Sequence, residues 1–324
     1  MTEELTCREA IAQAIADEMD ADADVILFGE DVGAAGGVFK STVGLFDRFG
    51  PGRVRDTPIS EQAIVGTAIG AAIMGLRPIA EIMFADFAGV AFDQLVNQLA
   101  KFRYLTGGQA NLPVTVRMAN GAGAGFAAQH SQATENWFLN IPGLKIAVPG
   151  TVEDCYGLLR AAVRDDDPVL VFEHKNLLGM KGNIGSGPKR LGEAALVRTG
   201  RDVTVVATQQ MRHRAVEAAE LLAGEGIELE VIDPRTLVPF DDETVAESLG
   251  RTARLLVVQE GPPAGGWGAS LLARMTQSHF HFFDAPPRLV ASVETPVPYA
   301  GCLEDAWLPG HEDIAKAARD LVAF

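Results

Sequence analysis

Asp56-Thr57-Pro58-Ile59-Ser60-Glu61 runs directly into residues 62–75, an Ala/Gly/Ile-rich segment without another charge. Pro78-Ile79-Ala80-Glu81-Ile82-Met83-Phe84 follows within a few residues. The first segment predicts a helix that is apolar around most of its circumference, hence covered on more than one side. The second predicts a buried strand, and a buried helix leading into a buried strand is the unit of a mostly parallel α/β sheet. Ser60 suits the helix cap, and the dipole at that end accommodates Glu61 as an anion. Glu61 therefore has two readings. It complements the dipole, or it is a partly desolvated acid presented to a ligand and suited to proton work.

The same alternation extends in both directions. Thr6 and Glu9 form a capping box for an opening helix to about residue 19. Residues 25–28 read as a strand ending in the loop Gly29-Glu30-Asp31-Val32-Gly33. A helix is expected from Asp86 to about Tyr104, strands at 113–118, 144–148 and 169–172, and a helix from Thr151 to Arg164. From Lys175 to about Gly200 the pattern stops, and Gly179, Gly182, Gly185, Gly187 and Pro188 mark a linker. A second α/β unit follows, with strands at 203–207, 229–232 and 255–258 and a closing helix from about Asp313. Two units are expected, residues 1–188 and 189–324, each with a mostly parallel sheet.

A chain of 324 residues matches a prior of about two domains of roughly 150 residues. The formal charge of −16 argues against nucleic acid or an anionic membrane as partner. It suits a soluble surface or docking to a basic protein. Cys7, Cys155 and Cys302 are scattered and form no CxxC, so neither a disulfide framework nor a zinc site is read, and a reducing compartment fits. The opening Met1-Thr2-Glu3-Glu4-Leu5 is acidic where a targeting peptide is basic. A cytoplasmic protein is the expectation.

Two motifs bear on chemistry. Gly123-Ala124-Gly125-Phe126-Ala127-Ala128 follows a strand and matches a relaxed dinucleotide fingerprint. Some twenty residues on, where an acid should meet the ribose, stand Val148 and Pro149. A nicotinamide-dependent dehydrogenase would rest on this loop alone; a tight turn carrying His130 to a cleft is the better reading. Ser131 lacks the GxSxG context of a serine hydrolase. His174, His213, His279, His281 and His311 take the ordinary structural reading. Gly66 and Gly70 lie on one helix face beside Ala63 and Thr67, which suits either close intrachain helix packing or a subunit interface.

Taken together, several longer motifs resemble the β subunits of thiamine-diphosphate-dependent 2-oxo acid dehydrogenases of the pyruvate, branched-chain and acetoin types. They are Phe28-Gly-Glu-Asp-Val32, Gly36-Gly-Val-Phe-Lys40, Asp56-Thr-Pro-Ile-Ser-Glu61, Gly75-Leu-Arg-Pro78, Phe84-Ala-Asp-Phe87, Phe92-Asp-Gln94, Ala128-Gln-His-Ser-Gln132, Pro142-Gly-Leu-Lys145, Asp233-Pro-Arg235 and Thr295-Pro-Val-Pro-Tyr299. They run in order almost end to end. The resemblance implies a pyrimidine-type thiamine-diphosphate-binding fold followed by a transketolase C-terminal-like domain.

It also implies roles. Glu61 would hydrogen-bond N1′ of the cofactor's aminopyrimidine and favour the tautomer that removes the thiazolium proton. Phe87 would pack beside the pyrimidine, and Glu30 would help shape the same pocket. His130 would stand near the reactive end and pass the acyl group to lipoamide, moving a proton as the dithiolane opens. Val114, Ala162, Val163, Asp165 and Asp167 match a monovalent-cation (potassium) site of some members; the alternative is a solvated acidic turn at Asp165-Asp166-Asp167.

The family's α subunits hold magnesium and the cofactor diphosphate through a GDG motif, which this sequence lacks. The resemblance therefore implies an α2β2 heterotetramer with the cofactor shared between subunits, acylating a lipoyl-bearing acyltransferase core. The substrate is a small 2-oxo acid, with acetoin or a branched-chain 2-oxo acid as alternatives. Leu178 stands where many relatives carry tyrosine and Met118 where the pyruvate type carries glycine, so acyl preference is not carried over. A different class, a non-catalytic assembly scaffold, would keep the fold without the chemistry.

Overall fold

The computed structural model describes residues 4–185 and 187–324. The chain divides into two compact units, residues 1–120 with 137–191, and residues 121–136 with 192–324. The short segment 121–136 thus groups with the C-terminal unit although it lies far upstream in sequence.

The main elements of the first unit are α1 (Cys7–Ala21), β1 (Val25–Gly29), β2 (Val54–Asp56), α2 (Glu61–Ile73), β3 (Arg77–Phe84), β4 (Thr115–Asn120), β5 (Lys145–Ala147), α3 (Val152–Arg164) and β6 (Val169–His174). Its strands pair in the order β5-β6-β4-β3-β1-β2, all parallel. Thr6 and Glu9 form the expected reciprocal cap on α1. One sheet face carries Val25, Leu27, Ile79 and Val169, which pack against Ile11, Ile15 and Met19 of α1 and Leu158 and Leu159 of α3. Strand alternation turns Ala80 and Ile82 to the opposite face, where α2 packs on β3.

Three expectations change. The single helix expected over 86–104 is three short pieces: a 3-10 turn at Ala85–Gly89, a π-helical stretch at Gln94–Leu99 and an α-turn at Phe102–Leu105. In the π-helical stretch the ladder shifts by one residue. Lys101 Nζ donates to the Val96 carbonyl at 2.6 Å, and the Ala100 N–H bonds Leu95 O at 3.1 Å, five residues back. Second, Ser60 occupies the N-cap position of α2 without donating or accepting a side-chain cap bond. Third, the stretch expected to be patternless contains a strand, Ala195–Arg198, that joins the second unit's sheet.

That strand is β7. The second unit continues with β8 (Val203–Ala207), α4 (Gln209–Ala223), β9 (Leu229–Asp233), α5 (Asp242–Thr252), β10 (Leu255–Val258), α6 (Trp267–His279), β11 (Arg288–Val290), α7 (Gly301–Trp307) and α8 (His311–Val322). The order is β11-β10-β8-β9-β7, parallel except for β7, which runs antiparallel to β9 at the edge. Its core joins Val203, Val205, Leu229, Val231 and Leu256 to α4 and α8, and includes Ala122 from the upstream segment. Buried Thr204 points the other way and shares hydroxyl bonds of 2.6 and 2.7 Å with Ser248 and Thr252 of α5. Among the described residues, no helix is long and apolar enough to cross a membrane.

Candidate functional site

In an open parallel sheet, ligands sit beyond the carboxyl ends of the strands, because there the loops are free of the ladder. Glu30 directly follows β1, Glu61 starts the helix after β2, and Phe87 lies in the turn after β3. These three strands are neighbours in the sheet, so three of the residues singled out in the sequence belong to adjoining strand ends. Two hydrogen bonds tie the loops there. The Thr57 N–H donates to Gly29 O at 2.9 Å, and the Gly33 N–H donates to Asp56 Oδ1 at 2.7 Å. Asp56, Thr57, Gly29 and Gly33 thus fix the approach of the chain to both acids.

Glu61 is 7% exposed at the first position of α2. Glu30 is half-buried; burial, then the neighbouring charges of Glu61 and Asp31, hold its carboxyl above the usual glutamate range. Phe87 is half-buried and meets Phe84 edge-on, with centroids 5.9 Å apart, while Phe39 meets Phe84 in the same manner at 5.4 Å. Adjoining strand ends thus carry two acids, Glu61 among them shielded from water, and an aromatic cluster of Phe39, Phe84 and Phe87; a cationic or protonatable aromatic ring calls for groups of these two kinds.

Beneath these loops is a group that sequence reading missed. Arg117 on β4 is fully buried between Glu81 on β3 and Glu173 on β6. Its guanidinium donates to Glu81, to both oxygens of Glu173 at 2.9 and 2.7 Å, and to Ser41 Oγ at 3.0 Å. Burial alone would lower the Arg117 pKa; the two carboxylates more than reverse this and hold it raised. Burial pushes the Glu81 carboxyl up more strongly than Arg117 draws it down. The signal was present as a charge within each of three otherwise largely apolar strands, but adjacency across strands is a tertiary fact.

His130 is half-buried and lies on the segment that belongs to the second unit. The glycine loop before it does not present its amides to a phosphate. The Gly123 and Gly125 N–H groups donate to Glu304 at 2.7 and 3.0 Å, and the Ala122 N–H to Glu260 Oε1 at 2.5 Å. Internal carboxylates occupy the place of a dinucleotide's anion, which removes the physical basis for the nicotinamide alternative.

The five residues matched to a cation site lie elsewhere in the first unit, near the amino ends of β4 and β6. Their oxygens already have donors. Arg77 donates to the carbonyls of Val163 at 3.1 Å and Asp165 at 3.2 Å, and the Val169 N–H to Val114 O at 3.0 Å. The Asp165 N–H reaches Ala162 O at 3.2 Å, Lys145 Nζ bonds Asp165 at 2.7 Å, and Asp167 pairs with Arg103 and Lys145. Arg103 and Lys145, acting against burial, hold the Asp167 carboxyl below its usual range. The Val163 and Asp165 carbonyls that would face a potassium ion here already accept from the Arg77 guanidinium, and each carbonyl oxygen keeps a second lone pair.

Comparison with known proteins accords with this geometry. Residues 3–181 match the transketolase pyrimidine-binding domain and residues 192–314 the transketolase C-terminal domain. The two define a protein of the transketolase class, a class that uses thiamine diphosphate. The β subunit of acetoin:2,6-dichlorophenolindophenol oxidoreductase of Cupriavidus necator is 48% identical, with 98% of each chain covered. The β-1 subunit of the rice mitochondrial pyruvate dehydrogenase E1 component is 42% identical, over 98% of this chain and 86% of the rice protein. The chain belongs to this family of pyruvate and acetoin dehydrogenase β subunits. A split-gene transketolase, described as an inactive β4 tetramer, shares the fold with a TM-score of 0.82, 23% identity and 98% coverage of both chains.

Proposed function

We propose that this chain is the β subunit of a 2-oxo acid dehydrogenase, active with an α subunit in an α2β2 assembly that oxidatively decarboxylates a small 2-oxo acid and acylates a lipoyl-bearing acyltransferase core. The observation that carries this is buried Glu61, with Glu30 beside it in electrostatic reach, at the strand ends of a pyrimidine-binding domain. Magnesium and the cofactor diphosphate would be held by the α subunit, in line with the missing GDG motif.

When bound, thiamine diphosphate supplies a nucleophilic carbon and an electron sink. Glu61 would share a proton between its carboxyl oxygen and the pyrimidine nitrogen, and its burial keeps water from competing for that proton. Phe87 would offer an aromatic face to the ring, and Glu30 would restrict the pocket beside it. His130 would move a proton at an imidazole nitrogen while the lipoyl disulfide opens. The exposed stripe of Ala63, Thr67, Gly70 and Met74 on α2 would be covered by a partner subunit: a Cβ on Gly70 would meet nothing within 4 Å, whereas one on Gly66 would touch Gln94 at 3.4 Å.

The identity to the C. necator acetoin subunit favours a second reading, cleavage of acetoin. The two substrates differ in what leaves the carbonyl carbon, carbon dioxide or an aldehyde. The deciding experiment mixes the purified chain with its α partner, thiamine diphosphate and magnesium and assays a panel of 2-oxo acids plus acetoin. Turnover on a member of the panel, abolished by Glu61→Gln, is expected; near-full turnover of that variant overturns the assignment. Cofactor titration by calorimetry separates an enzyme from a scaffold, which would give no cofactor-dependent heat.

A further inference from the structure

We propose that Glu304 is a positioning residue for His130: its buried carboxylate fills the nest of amides formed by Gly123 and Gly125 and thereby fixes the loop that carries the imidazole. This rests on the reading of His130 given above.

Positive φ recurs at alternate positions along this loop, at Gly121 (+88°), Gly123 (+93°), Gly125 (+74°) and Ala127 (+60°). Such alternation turns successive N–H groups toward one side and makes a concave anion-binding surface. One carboxylate spans it, Oε1 accepting from Gly123 at 2.7 Å and Oε2 from Gly125 at 3.0 Å. Glu304 is 2% exposed, on a helix whose Trp307 is buried and donates its indole N–H to Thr295 O at 3.0 Å. The carboxylate is thus anchored in the core of its own unit. By contrast, the backbone bonds that close the loop on itself, His130 N–H to Ala127 O and Gly121 N–H to Gln132 O, are 3.4 Å each. Charge-assisted bonds to a buried acid are shorter and stronger restraints than these two, and where Glu260 holds the start of the loop through the Ala122 N–H at 2.5 Å, Glu304 holds the stretch nearer His130. A loop released from them would leave His130 less well placed, and small misplacement of a reacting group is costly to rate.

The test uses the reconstituted α2β2 holoenzyme. Hydrogen exchange of the Gly123 and Gly125 amides should be slow in the native protein and fast in Glu304→Ala. Two half-reactions are read in parallel: cofactor-dependent reduction of the dye 2,6-dichlorophenolindophenol, which takes the two electrons in place of the lipoyl disulfide, and acylation of a lipoyl domain. Glu304→Ala should slow acylation about tenfold or more while dye reduction stays within about twofold. Added to His130→Ala it should cost less than about a further twofold, because both act through one group. Rapid exchange of the native amides, equal loss in both half-reactions, unaltered acylation, or multiplicative losses in the double variant would each overturn the proposal. Should Glu304→Ala fail to assemble, native exchange and Glu304→Gln, which keeps one acceptor oxygen and should fall between, decide the matter. Unchanged acylation in His130→Ala alone would remove the role of His130, whereas loss of amide protection in Glu304→Ala would still identify the carboxylate as the loop's anchor.

Discussion

Glu30 stands within electrostatic reach of Glu61, and after burial that neighbouring acid is the largest cause holding the Glu30 carboxyl above its ordinary range. The folded chain therefore binds a proton at Glu30 more tightly than the unfolded chain does. Stability from this group is fully present below its unfolded pKa and is lost as pH rises through the higher folded value. Glu30→Gln should accordingly raise the melting temperature at neutral pH, with the gain shrinking as pH falls toward about 4.5 and below. Melting curves across that range check it. A gain that grew on acidification would contradict the sign.

Glu61→Gln removes the anion at the start of α2 while leaving its shape. In the reconstituted assembly, turnover should fall by a factor of about a hundred or more, the range associated with loss of a positioned acid-base group. Assembly, judged by analytical ultracentrifugation, should be unchanged. The same variant should bring the Glu30 carboxyl back toward its ordinary value, since it removes one of the charges that raises it. Carboxyl-carbon NMR reads that change directly.

How far the sequence could be read depended on whether a feature was local. The Thr6–Glu9 cap, the sequence of apolar strands and the approach to Glu61 each lie within a few residues, and their patterns were legible. The break-up of 86–104 was not: the π-helical stretch has Lys101 on the Val96 carbonyl and a five-residue ladder bond at Ala100, shifts of one residue that periodicity cannot register. Nor was the allegiance of residues 121–136, whose glycines looked like a phosphate loop until Glu304 and Glu260 met their amides from more than a hundred residues away. β7 was hidden among linker glycines since four residues at a sheet edge carry too little pattern to stand out. The roles proposed for Glu61, Phe87 and His130 rest on family likeness; position alone left Glu61 between dipole partner and working acid.

Arg117 offers a separate test of the scaffold. Replacing it by Met would leave Glu81 and Glu173 buried on either side of β4 without their cation, a change that costs about 3–5 kcal/mol in comparable buried pairs. Arg117→Lys should recover only part of this, because one ammonium cannot match the several directed bonds made to Glu173, Glu81 and Ser41. Urea denaturation of the three proteins gives the ranking. Equal stability of the native and Met forms would mean that the acids are protonated without loss.

Gly33 and Asp56 provide the last prediction, because they couple the two loops that bring Glu30 and Glu61 to adjoining strand ends. A Cβ on Gly33 would lie 2.7 Å from Asp56 Oδ2, closer than real contacts allow, on the same carboxylate that accepts the Gly33 amide at 2.7 Å. Gly33→Ala should therefore displace Asp56 and destabilise the chain by about 1–3 kcal/mol. Asp56→Ala removes the acceptor and also the obstacle. The double variant should then be little worse than Asp56→Ala alone, a departure from additivity of the kind found for residues in direct contact. Thermal denaturation of all four proteins measures the coupling, and calorimetric cofactor titration of the assembled forms shows whether it reaches the site. Strictly additive losses would mean that the two loops are held together by something other than this pair.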